Sequence, residues 1–124
     1  MFRVNEDLSI YLTRGDICVF SVTVDKGGAT YQFKEGDIVR IKVFGRRDVE
    51  SVALQKDFVA SPGEEKVVIT LNGEETKFGE YINKPTAYWY EIELNPETAP
   101  QTIIGYDENG EKILMLFPEG GDGV

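Results

Sequence analysis

The chain has 124 residues, 41% of them hydrophobic and 28% charged, which is enough to close one core and too apolar for general disorder. Thirteen basic residues against 22 acidic ones leave a formal charge of −9. That balance argues against nucleic acid and anionic membranes as partners, since both call for Lys and Arg gathered on one face. There is no histidine, and Cys18 is the single cysteine, so a Cys/His nucleophile pair and an intrachain disulfide are both ruled out.

Residues 1–7 read as a loosely held lead-in without the apolar core of a signal peptide. Synthesis in the cytoplasm without an export address is therefore the expectation. The longest apolar run, Ile113–Phe117, is too short to span a bilayer. Leu8–Thr13 alternates Leu8, Ile10 and Leu12 against Ser9, Tyr11 and Thr13, the period of a half-buried strand. Arg14-Gly15-Asp16 spells an adhesion tripeptide, but a glycine between charges at a strand end reads simply as a turn.

Ile17–Val24 predicts a second strand with Cys18, Phe20, Val22 and Val24 on one face, which makes Cys18 a buried, inert thiol. Asp25–Gly28 is a turn, and Ala29–Phe33 a short strand or bend. Ile38–Phe44 should direct Val39, Ile41 and Val43 inward and Arg40 and Lys42 to water. A charged turn over residues 45–50 leads to a strand over Val52–Ala60, and Lys66–Leu71 turns Val67, Ile69 and Leu71 inward.

Asn72 begins a stretch better suited to one helical turn than to a strand, ended by Gly79, with Tyr81 expected to anchor the loop. Thr86–Leu94, TAYWYEIEL, is the clearest strand. Tyr88, Tyr90, Ile92 and Leu94 share its apolar side, while Trp89 falls among Glu91 and Glu93 on the other. Gln101–Tyr106 and Glu111–Phe117 predict a hairpin across Asp107-Glu108-Asn109-Gly110, and residues 118–124 a glycine-rich tail outside the domain at 1–117.

Short alternating strands, with no amphipathic helix among them, predict an all-β domain. About seven to nine short strands at this spacing suggest a β-sandwich or a small barrel. No carboxylate spacing marks an acid/base pair, no glycine-rich phosphate loop leads into a helix, and no cofactor is expected. The turn Asp107, Glu108, Asn109 offers clustered oxygens to a cation, but a hairpin needs those residues anyway. The last strand is apolar on both faces, Ile113/Met115/Phe117 and Leu114/Leu116, and Trp89 lacks an obvious partner. Trp89, Leu114, Met115 and Leu116 are therefore the candidate protein-binding residues.

The succession IYLTRGD, VFSVTV, YQFKEGD, IVRIKVF, VVITLNGEETKFGEY, YWYEIEL and LMLFPEG resembles small prophage-encoded proteins of Gram-positive bacteria. It is similar to the Ig-like N-terminal module of siphophage upper baseplate proteins, and the likeness runs from about Leu8 to Phe117. It implies an Ig-like antiparallel β-sandwich of about seven to nine strands: a non-enzymatic structural module, made in the bacterial cytoplasm and virion-associated, that assembles by contact with other phage structural proteins or with itself, a homo-oligomer included. Baseplate proteins of this kind continue into a further domain, whereas this sequence ends at PEGGDGV, which leaves a stand-alone accessory protein open. Two alternatives are a carbohydrate-binding module, given six tyrosines beside Trp89, and a small carboxylate-based hydrolase.

Overall fold

A computed structural model describes residues 1–45 and 52–119, and most of the turn predicted over 45–50 and of the tail predicted over 118–124 lies outside them. The elements are β1 (Phe2–Val4), β2 (Ile10–Thr13), β3 (Cys18–Val22), β4 (Asp25–Lys26), β5 (Ala29–Thr30) and β6 (Ile38–Phe44). They continue with β7 (Val52–Val59), β8 (Val67–Leu71), β9 (Thr86–Leu94), β10 (Gln101–Ile104) and β11 (Lys112–Phe117). The count exceeds the expected seven to nine because Phe2–Val4 pairs with β2 instead of hanging loose, and because Gly27 and Gly28 close the small β4–β5 hairpin. Both glycines have positive φ, as such a tight reversal requires.

One sheet runs β1-β2-β11-β9-β6-β7, with β10 also on β9, and a second contains β3 and β8. Every strand that alternates in sequence turns its apolar residues to the space between them. Ile10, Leu12, Ile41, Ile92, Leu94, Leu114 and Leu116 from the large sheet and Cys18, Val22, Val67, Ile69 and Leu71 from the small one form a single buried cluster. This is a β-sandwich, and the residues predicted for its core are buried throughout: Val39, Ile41, Val43, Val67, Ile69, Leu71, Tyr88, Tyr90, Ile92 and Leu94.

Three expectations need correction. The sandwich is not wholly antiparallel, because β2 runs parallel to β11, with Leu114 opposite Ile10 and Leu116 opposite Leu12. The predicted hairpin between the last two strands is absent. β11 pairs with Thr86–Tyr90 and β10 with Ile92–Leu94, both on the edge of β9 that β6 leaves free. They are thus two halves of one interrupted strand. The Asn109-Gly110 turn makes a local excursion between them, closed by the Asp107–Gly110 bridge.

Finally, Leu8 does not extend the apolar face of β2. It adopts a left-handed backbone (φ 69) at the surface, and its carbonyl accepts a hydrogen bond from the Tyr90 hydroxyl.

The turn after β8 forms as its sequence predicts. The Asn72 side chain accepts from the Glu75 N–H at 2.9 Å and the Glu75 carboxylate accepts from the Asn72 N–H at 2.9 Å, a reciprocal capping box around one turn. Tyr81, however, is exposed. Phe78 takes the anchoring role, buried with its ring edge-on to Tyr88 at 5.0 Å.

Candidate interaction face of the large sheet

In an antiparallel ladder, paired residues project to the same side. The outward side of β9 and its neighbours therefore sorts into two zones. Trp89 lies between Ile113 of β11 and Phe44 of β6, and Phe44 in turn lies opposite Val52 of β7. The adjoining row sets Met115 between Ala87 of β9 and Tyr11 of β2. Tyr11 stacks obliquely on Phe117 at 5.5 Å and carries the Arg3 guanidinium 4.8 Å above its ring. This half of the face is apolar and aromatic.

The other half is ionic. Arg40 grips Asp57 through two nitrogens, at 2.6 and 3.1 Å, and reaches Glu97 at 2.8 Å. These bonds hold the guanidinium firmly protonated and keep the Asp57 carboxyl below the usual carboxylate range. Lys42 lies 3.4 Å from Glu93. Burial, reinforced by the neighbouring Glu93 charge, pushes the Glu91 carboxyl up. The alternation Arg40/Lys42 on β6 against Glu91/Glu93 on β9 places opposite charges across the ladder, although Glu93 Oε1 is buried without a hydrogen-bond partner.

The four candidate residues divide between the two sides of the sheet. Trp89 and Met115 project outward and are half-buried, with Ile113 beside them 38% exposed. Leu114 and Leu116 do not belong to the surface: they are 1% and 0% exposed, packed in the core. An apolar run alone cannot tell which parity faces out, and the parallel partner β2 turns Leu114 and Leu116 inward beside Ile10 and Leu12. Phe44, Tyr11 and Phe117 complete the apolar zone, and the sequence reading passed over them. Phe44 breaks the parity of Val39/Ile41/Val43, which was the available signal.

Other candidates are occupied by structural work. Asp107 accepts from the Asn109 N–H and pairs with the buried Lys112 ammonium, each at 2.8 Å, which holds its carboxyl below the usual range. Arg14 binds Glu119 at 2.8 Å and the Lys77 carbonyl at 3.0 Å, while the Gly15 N–H donates to Thr76. The Arg14-Gly15-Asp16 segment is thus a tethered turn. Glu119, read as part of the tail, is tied to the domain by that pair. Burial raises the Cys18 thiol to about 12. Among the described residues no cluster of three His, Cys, Asp or Glu side chains could hold a metal ion. Comparison with protein-family models, curated proteins and solved structures returns no match.

Proposed function

We propose that this protein is a non-enzymatic assembly module of a phage or prophage tail or baseplate, acting by protein–protein contact through the outer face of its large sheet. The reading is supported by the apolar zone around Trp89, Ile113 and Met115, bordered on one side by paired charges. Aromatic and Met side chains bordered by polar groups are the composition of an interface centre, where a few anchors carry most of the binding energy. The resemblance of strand order to baseplate modules supplies the setting.

The experiment replaces Trp89 and Met115 with Gln, separately and together. Far-UV circular dichroism should show the fold retained. Sedimentation of the chain alone, and of its mixtures with the tail proteins encoded beside it, should show association weakened about tenfold or more. Association that survives both replacements sinks this surface.

A second reading, carbohydrate binding, draws on Tyr106 and Tyr81, which are 77% and 51% exposed and offer aromatic faces to sugar rings. A glycan array with Tyr106→Ala as control separates it, since an assembly module should stay silent there.

A further inference from the structure

Among the described residues the small sheet has two strands, so β3 and β8 each pair there on one edge. An open edge is a template for another strand, and folded proteins usually guard it with charge. The β8 edge is guarded. Lys56, on an inward position of β7, donates from Nζ to the Thr70 carbonyl at 2.9 Å, and Glu64 and Lys66 flank Val68.

The same bond fixes the phase of the ladder. Antiparallel pairs alternate between those that exchange hydrogen bonds and those that do not. With the Thr70 carbonyl turned out to Lys56, the Val19–Thr70 and Ser21–Val68 pairs are of the open kind. Val19 and Ser21 therefore direct their N–H and C=O groups to the free edge of β3.

Nothing charged guards that edge. Beside it lies a groove of about 290 Å³ lined by Val4, Leu8, Ile10, Phe20, Val22 and Ile104, with the Tyr90 ring at its floor. Phe20, on the core side of β3, is only half-buried because it borders this groove. Leu8 holds its left-handed backbone at the groove wall. Asp25 and Asp7 supply acidic charge nearby, whereas Asp16 at the other end of β3 is already paired with the Met1 ammonium.

We propose that the free edge of β3 is a strand-addition site for an extended segment of a partner protein. Backbone groups of that segment pair with Val19 and Ser21, alternate apolar side chains enter the groove, and a Lys or Arg beyond its end meets Asp25. A second copy of this chain fits poorly. Antiparallel pairing of two β3 strands, Val19 against Ser21, would dock two molecules already carrying −9 each. This site is separate from the Trp89 face, so either can fail alone.

The test selects from a displayed library of random dodecapeptides against the intact chain. Enriched peptides should alternate apolar residues and carry Lys or Arg at one end. On binding they should protect the Val19 and Ser21 amides from hydrogen exchange.

Ser21→Pro removes an N–H that the β3–β8 ladder does not use. It should retain the fold and weaken binding about tenfold. Val4→Lys, which places a like charge at the groove wall, should weaken it comparably without touching the ladder, while Trp89→Gln should leave it unchanged.

Failure to enrich any peptide, or equal binding by Ser21→Pro and Val4→Lys, overturns the proposal. So does concentration-dependent protection of Val19 and Ser21 in the chain alone, which would make the occupant a second copy.

Discussion

Lys56 Nζ spans the open flank of the sandwich to the Thr70 carbonyl oxygen, 2.9 Å away, and meets Glu75 Oε1 at 2.8 Å. A strand residue facing inward would ordinarily be apolar. Here its ammonium instead closes a sheet edge and holds the capped turn after β8, keeping the Glu75 carboxyl below its usual range. Lys56→Met keeps the aliphatic stem and removes the donor. It should cost about 1–2 kcal/mol in urea unfolding, and light scattering should show aggregation as the β8 edge is bared. Unchanged stability and unchanged scattering would mean the bridge guards nothing.

Asp37 anchors the other side of the domain. Buried before β6, it accepts from the Tyr31 hydroxyl at 2.7 Å, the Lys34 N–H at 2.8 Å and the Asn95 amide at 2.9 Å. Burial works to raise its pKa, but those three bonds together bring it below the usual value. A carboxyl depressed on folding contributes stability that is present above the unfolded-state pKa and lost as pH falls through the folded one. Stability should therefore decline below about pH 4. In Asp37→Asn that acid limb should be shallower, with a loss of about 2 kcal/mol at neutral pH. An acid limb identical to the parent's would remove Asp37 from this role.

The two sides of the last strand should respond very differently to truncation. Leu116 is fully buried between the sheets, whereas Met115 lies half-covered on the outer face. Leu116→Ala should cost about 3–5 kcal/mol, and Met115→Ala under about 1 kcal/mol. Comparable losses from both would show that the parity of β11 is wrong.

Gly79 has φ +71, and a Cβ there would lie 2.3 Å from the Tyr88 hydroxyl oxygen. Tyr88 is buried and locked edge-on against Phe78, so its ring has little room to retreat. Gly79→Ala should lower stability by about 2–3 kcal/mol and disturb the Phe78 and Tyr88 ring resonances in NMR spectra. A neutral substitution would mean that this loop adapts freely.

The Cys18 thiol, raised to about 12 by burial, should resist alkylation at pH 8 in the native chain. Its labelling rate should follow the unfolded fraction as urea is added. Rapid labelling without denaturant would place it at the surface.

Alternation along single strands settled the inward residues of β6, β8 and β9, because side-chain direction in a strand is a local property with period two. Asn72 with Glu75 likewise marked the capped turn, since cap and partner lie three residues apart. What escaped was everything joining residues distant in the chain. Asn109-Gly110 announces a reversal, but whether the flanking strands pair with each other or share the edge of β9 depends on which edges are free once β6 is docked. The parallel match of Leu114 with Ile10 links the two ends of the chain, and together with the pairing of Leu114 opposite Tyr88 it decided which side of the last strand became core. Lys56 over Thr70 and Asn95 over Asp37 were invisible for the same reason: a polar residue at an inward or turn position acquires its partner only when two elements meet.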